Sequence, residues 1–317
     1  MNTLFLFLIL IPIVLCNNSL PNYQYTRLGL DMKIGQPLNS AGAFRSPIFA
    51  SYTFSQGKTI NIYSNTYNVP DQLSAIQYGS EQSTSTVQVF YSESNVTNAL
   101  FESFTTGFDC KKVNGLFALS EQVSTFNYNY NIEASYSAVS YLIVTSYFSE
   151  LSTEIKLDPV FHKALMLLPD EFNDSTMDIF KDFIRTYGTS FSTRQVYGGS
   201  VNMITSFSTD IAYELNTEEI IVGINTQFMF ASANSTLDKY QQEEYNYLNT
   251  LYKSSFVLVG GNPATYNQTE ISKWIGTIPE NPVYVRLQFS NLSWLLPRNE
   301  TGKINALDEA IEYYFNN

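Results

Sequence analysis

The residues that could do chemistry are few. The chain holds one histidine and two cysteines. His162 sits beside Phe161 in a segment with helical spacing, so a Ser-His-Asp triad would have only this base to use. No Gly-x-Ser-x-Gly elbow accompanies it. Zinc needs several His or Cys ligands, and this sequence does not supply them. Carboxylates stand in adjacent pairs at Glu218-Glu219, Glu243-Glu244 and Asp308-Glu309. On a helix, neighbours in sequence point in different directions, so such pairs read as solvated faces rather than an acid–base couple. Neither a calcium loop nor a phosphate-binding glycine loop is present. The expectation is therefore a protein that is not an enzyme, with no cofactor, no metal and no small-molecule substrate. What remains is a physical device made of alternating strands and paired glycines.

The elements that would carry that device centre on 180–199. Met177, Phe180, Ile184 and Tyr187 recur at steps of three and four, giving a helix with one apolar face. Ser175 and Asp178 suggest a capping box at its start, and Gly188 marks its end. From Ser190 to Tyr197 the pattern turns strand-like. Gly198-Gly199 is then expected to break or bend that strand, because glycine tolerates backbone angles other residues avoid. Val201 to Ser208 continues it.

This stretch resembles the signature of the membrane attack complex/perforin (MACPF) family: a tyrosine, six residues, an aromatic, Gly-Thr-His and a further aromatic. Phe180 stands for the first tyrosine, Tyr187-Gly188-Thr189 match, Ser190 replaces the histidine, and Phe191 matches the last position. Gly198-Gly199 falls where the family has its sheet hinge. Softer likenesses to secreted protozoan-type members lie at 28–31, 44–49 and 56–59. The resemblance implies an α+β fold: a bent, twisted four-stranded antiparallel sheet flanked by two helical clusters. In pore-forming members each cluster refolds into a pair of amphipathic strands, and many subunits close a barrel. The physical reason is general, since a strand in hydrocarbon must pair every backbone group.

By position the clusters would be 95–135 and 210–255. Phe126, Tyr128, Tyr130, Ile132 and Ala134 alternate with polar residues without a break, as a membrane strand or the start of a core strand would. Val222, Ile224, Phe228 and Phe230 hint at a second such segment, blurred by Ile221 and Met229. Leu237 to Leu251 has helical spacing. Val139 to Phe148 reads as a main-sheet strand, and Thr86 to Tyr91 as another. Asp158-Pro159 opens a helix with Phe161, Leu165 and Leu168 on its stripe. Phe256 to Gly261 reads as a short buried strand ending in glycines, and Lys303 to Phe315 as a closing helix.

Composition sets the surroundings. Apolar residues make up 44% and charged residues 15% of the chain, which suits a core-forming protein. The net charge of −12 argues against nucleic acid, whose phosphates need a basic face. Residues 1–16 resemble a secretory signal peptide, with Leu4 to Leu15 as its apolar run. Residues 17–317 would then form a single MACPF-like domain with one cysteine, Cys110. Sequons stand at Asn17, Asn95, Asn173, Asn234, Asn267, Asn291 and Asn299, as in a glycoprotein. The expected function is a secreted, perforin-like protein that oligomerises and perforates a target membrane. Its partners would be itself and membrane lipid. It would be extracellular, by way of secretory granules in one version, and membrane-associated after assembly. The alternative is a non-lytic secreted member with an adhesion, coat or granule role.

Overall fold

In the computed structural model the described residues are 18–33, 43–77, 82–84, 88–90, 136–232, 237–265 and 271–317. Cys110, the alternating segment Phe126–Ala134 and the sequons at Asn17, Asn95, Asn234 and Asn267 lie outside them, as do residues 1–16.

Two long strands carry the fold. β8 (Tyr136–Leu151) and β9 (Ser190–Phe207) run antiparallel from Tyr136↔Phe207 to Glu150↔Arg194. Both are rich in β-branched and aromatic residues, which suit a pleated, half-buried surface. Outside β8 lie β5 (Leu73–Gln77), β6 (Gln82–Thr84) and β7 (Gln88–Phe90), all antiparallel to it. Outside β9 lie β10 (Tyr252–Val259) and β11 (Val283–Asn291). β10 pairs with residues 200–207 and β11 with residues 190–198, so the two are consecutive pieces of one lane. The result is a four-lane antiparallel sheet, as the sequence implied. At its β9-start end it is widened by β1 (Leu28–Leu30), which pairs with Ser190 and Phe191, and by β2 (Phe44–Pro47). A separate hairpin of β3 (Thr59–Ile62) and β4 (Asn65–Asn68) completes the strands among the described residues.

The helices fall into two groups. α1 (Pro159–Met166), α2 (Met177–Tyr187) and α7 (Thr301–Asn316) pack at the β9-start end. Phe161, Phe180, Ile184, Leu307, Ile311 and Phe315 form their core with Tyr147 and Tyr197 of the sheet. α3 (Thr209–Glu214), α4 (Thr217–Ser232) and α5 (Lys239–Leu251) join the end of β9 to the start of β10. Their core, with α6 (Ile271–Ile275), contains Ile220, Ile224, Phe228, Leu248, Trp274 and Ile278 over Ala138, Leu142, Val201 and Met203.

Local chemistry explains most boundaries. Asp158 caps α1 by accepting from the amides of Val160 and Phe161, with Pro159 in the first turn. α5 begins with a reciprocal box between Asp238 and Gln241. The box expected at Ser175 and Asp178 does not form. α2 begins after Thr176, whose hydroxyl donates to the Glu171 carbonyl at 2.9 Å, while Asn173 Oδ1 captures both the amide and hydroxyl of Ser175. β10 starts four residues earlier than Phe256, and among the described residues only β9 pairs with it, leaving Phe256 and Leu258 half-buried.

Candidate functional site

The family signature forms a joint, not a reaction centre. Gly188 has φ +86°, a left-handed angle that favours glycine, and its amide closes α2 on the Ile184 carbonyl at 2.7 Å. A β-carbon there would stand 2.4 Å from Leu30 O. Thr189 is fully buried. Its amide donates to the Leu30 carbonyl at 2.8 Å, and its hydroxyl oxygen accepts the Met32 amide at 3.2 Å. Its carbonyl accepts the Leu292 amide. One tripeptide thus ties α2, β9, the β1 segment and the end of β11 together. Ser190 lies buried with its hydroxyl 3.3 Å from that of Thr189. Phe180 and Phe191 are buried and meet Phe172 and Phe49 edge-on.

The glycine pair sits where three changes coincide. β9 changes outer partner here, from Val283 opposite Gly198 to Val259 opposite Ser200. On the inner side the register slips between Thr145 and Tyr147, leaving Ser146 as an extra residue. This bulge shifts the side-chain parity of β8, so Leu142, Val144 and Tyr147 all join the helix-covered cores. The third change is packing. A β-carbon on Gly198 would be 1.9 Å from Val144 O, and one on Gly199 would be 2.8 Å from Ile278 Cδ1. β9 itself runs unbroken through the pair, where the sequence suggested a break or a bend, and the glycines permit close approach there.

A second glycine pair faces the first. Gly260 and Gly261 have φ values of +78° and +62° and turn the chain out of the sheet. Residues 260–282 then make an excursion before β11 resumes the same lane. Its ends are tied by Gly261 N donating to Asn281 O at 2.9 Å and Asn281 Nδ2 donating to Gly261 O at 3.0 Å. Trp274 and Ile278, both fully buried, come back over Gly199.

Next to the glycine pair, Tyr147 and Tyr197 stack at 4.6 Å with their planes 11° apart. The Tyr147 hydroxyl donates to the Pro21 carbonyl, and the Tyr197 hydroxyl to Gln195 Oε1. Burial pushes both phenols well above their ordinary range, so they remain donors at physiological pH.

The helical hairpin α4–α5 covers the opposite end. Asn216 and Glu219 cap α4 reciprocally at 2.9 and 3.0 Å. Ile220, Ile224 and Phe228 face the sheet, whereas Val222 is 63% exposed. The alternation suggested for Val222, Ile224, Phe228 and Phe230 is thus not the conformation here. A 3.6-residue period separates Val222 from Ile224, and Phe230 is half-buried against Tyr245. Gln227, 2% exposed, clasps the hairpin to the sheet. Its amide nitrogen donates to Asn249 Oδ1 at 2.7 Å, and its oxygen accepts from Ser254 Oγ at 2.8 Å.

The remaining expected positions are scattered. His162 is exposed on α1. Asn173 and Asn299 are exposed sequon residues. Asn291 is in β11, where its Nδ2 donates to Asp308 at 3.2 Å while Ser293 Oγ donates to the same oxygen at 2.7 Å. Among the described residues no His/Cys/Asp/Glu group is arranged to hold a metal, and no helix is long and apolar enough to cross a membrane. Sequence reasoning did not find the roles of Trp274, Ile278 and Gln227. Only the glycines preceding Trp274 marked that place.

A four-lane antiparallel sheet with helices packed on it, α3–α5 linking β9 to β10 and a glycine pair within β9, belongs to the MAC/perforin class of fold. The chain belongs to that family: the MACPF (MAC/Perforin) domain model matches residues 17–317. It is 28% identical over 308 residues to the Perivitellin-2 67 kDa subunit of Pomacea canaliculata, covering 94% of this chain and 53% of that one. It is 30% identical over 192 residues to Perforin-1 of Rattus norvegicus, covering 53% of this chain and 34% of the other. The chain therefore spans about half, or less, of these curated relatives. Among solved structures, GNIP1Aa from Chromobacterium piscinae superposes with a TM-score of 0.66 at 10% identity, over 92% of this chain and 55% of that one. That likeness concerns the fold.

Proposed function

We propose that this chain is a secreted, non-enzymatic pore-forming protein that assembles with copies of itself on a target membrane. The observation that carries the reading is the pairing of Phe207 with Tyr252. These residues end β9 and begin β10, and everything between them is helix or the links joining helices, apart from 233–236, which lie outside the described residues. If α3–α5 unwound into strands, they would extend an antiparallel pair already in register. On the other side Tyr136 also pairs with Phe207, and Phe90 with Ser137, so residues 91–135 depart from the same end of the sheet. Phe126–Ala134 would supply the first membrane strand and Val222–Phe230 part of the second. Glu218, Glu219, Glu243 and Glu244 would be tolerated on a water-filled lumen. Gly198-Gly199 would let the sheet change curvature as the hairpin leaves.

The test is to tether α4 to β10. In a Cys110→Ser background, Gln227→Cys and Ser254→Cys are joined by a short reducible cross-linker. Liposome leakage and ring-shaped assemblies should vanish when the tether is closed and return on reduction. Leakage undiminished by the tether would rule out release of this hairpin.

A second reading, a non-lytic secreted member with a structural or coat role, draws on Ser190. The signature's imidazole is replaced by a buried hydroxyl bonded within the joint. In this reading, the untethered protein binds without leakage on every membrane tried. In either case residues 17–317 act as one module after removal of 1–16, with sugar on the exposed Asn173 and Asn299.

A further inference from the structure

A cavity of about 440 Å³ lies at the β9-start end, between the segment after β1, α2 and the last turn of α7. Its lining includes Asp31, Lys33, Arg45, Lys181, Arg185 and Tyr314. Four side-chain cations line it against one side-chain carboxylate, and Arg185 also pairs with Asp182 at 3.1 Å, so the lining stays net positive in a chain whose net charge is −12.

The carboxylate is already committed. Asp31 is 1% exposed; its Oδ2 accepts from Arg45 at 2.9 Å and from the Tyr314 hydroxyl at 2.9 Å, and its Oδ1 accepts the Lys33 amide at 3.1 Å. Lys33 is the anomaly. It is only 8% exposed, yet among the described residues no carboxylate lies within ion-pair distance of its ammonium. Nζ donates to the Tyr314 carbonyl at 3.0 Å and lies 5.1 Å from the centre of that ring. An ammonium has three donors, and a neutral carbonyl and a ring face compensate its charge only in part. Burying a cation without an anion is costly. Lys181 stands nearby over the Tyr313 ring at 5.5 Å, also without a carboxylate partner among the described residues. Arg185 is at the rim, with its side chain 79% exposed.

We propose that this cavity binds the phosphate of a soluble phosphate monoester, with Lys33 and Lys181 as its charge partners and Arg185 as a rim contact. A dianion answers the local excess of positive charge. The volume falls within the range of about 300–1,000 Å³ usual for small-molecule pockets, so the phosphate would come on a carrier the size of a sugar. Position favours a soluble ligand over a lipid headgroup. Asp31 follows Leu30, which pairs with Ser190 at the start of β9, and the segments proposed to meet a membrane begin at Phe207. Those two ends are one strand of 18 residues apart, about 60 Å at roughly 3.3 Å per residue. The sequence alone suggested no small-molecule partner, because none of these residues is adjacent in a motif.

Calorimetry on the full chain at low ionic strength tests this with three probes: glucose 6-phosphate, glucose 6-sulfate, and phosphatidylcholine vesicles with and without phosphatidylinositol 4-phosphate. Glucose 6-phosphate should saturate one site and bind more tightly than the sulfate monoanion. Lys181→Glu with Arg185→Glu should weaken it at least tenfold with an unchanged melting curve, since both changes lie at or near the surface. Lys33→Gln should abolish it. Absence of saturable binding, or wild-type affinity in the double variant, overturns the site. Sulfate binding as tight as phosphate overturns the dianion assignment. Capture by the phosphoinositide vesicles alone overturns the soluble ligand. None of these readouts depends on pore formation, so the site can fail while the lytic reading stands.

Discussion

The indole nitrogen of Trp274 donates to the carbonyl of Gly260 at 3.0 Å. That bond brings the ring down on Gly199, one strand away. Trp274 therefore fastens the described part of 260–282 to the glycine pair of β9. Replacing Trp274 with Ala removes a fully buried ring, and the expected loss is about 3–5 kcal/mol of stability. Chemical denaturation measures this. If the excursion restrains the hinge, the variant should also release liposome contents faster than wild type at a temperature where both are folded.

Gly198 and Gly199 should respond differently to the same substitution. Gly198→Ala drives a methyl into the Val144 carbonyl, which is backbone and cannot step aside. Gly199→Ala meets the tip of Ile278, a side chain that can rotate. Gly198→Ala should fail to fold or lose most of its soluble yield. Gly199→Ala should fold with a lowered melting temperature, and Ile278→Val should recover part of that loss. Equal behaviour of the two alanine variants would contradict this account.

Gln227 is the polar clasp between α4 and the sheet. Gln227→Ala leaves Ser254 and Asn249 without their shared partner, at a cost of about 1–3 kcal/mol. The loss should be local. Hydrogen exchange should accelerate in 217–251 with little change in β8 and β9.

Much of this frame was legible before any coordinates. The Asp158-Pro159 start, the stripe of α7 and the β-branched runs of β8 and β9 are local signals, and local interactions realise them. The signature tripeptide could be recognised, yet its partners Leu30 and Met32 lie far away in sequence, so its role as a joint could not be read. The α4 segment carries two patterns at once. Val222, Ile224, Phe228 and Phe230 satisfy a two-residue spacing, but reciprocal Asn216–Glu219 capping and the buried Ile220–Ile224–Phe228 stripe select a helix. The bulge at Ser146 has no sequence mark at all. It lies where Gly198 of β9 passes close to the Val144 carbonyl, a contact between strands far apart in sequence.

Asp71 organises the loop before β5. Its carboxylate accepts from the amides of Ser55 and Gln56, both at 2.9 Å, and from the hydroxyls of Thr53 and Ser55. These bonds, the Thr53 hydroxyl foremost, hold its pKa down to about 2. A lowered folded-state pKa contributes stability above the unfolded carboxylate value, and that stability is lost as pH falls from about 4 through 2. Asp71→Asn should therefore lower the melting temperature at pH 7, with the gap to wild type closing toward pH 2. A gap that stays constant with pH would show that charge is not what the loop depends on.

The sequon at Asn291 should stay unmodified. Its amide nitrogen and the Ser293 hydroxyl share Asp308, and Ser293 is buried. Glycopeptide mapping of secreted material should find sugar at Asn173 or Asn299 before it finds any at Asn291. Asp308→Ala should lower the melting temperature by freeing both donors.

The split outer lane has one more consequence, for behaviour at high concentration. An edge strand exposes a row of unpaired amides and carbonyls, a template on which a second molecule can polymerise. Here β10 stops at Val259 and β11 begins only at Val283, with the lane diverted between them at Gly260 and its two ends stapled by Asn281. A neighbour arriving early finds two short rails instead of one long one. The same interruption that seats a tryptophan on Gly199 works against edge-to-edge polymerisation at high protein concentration.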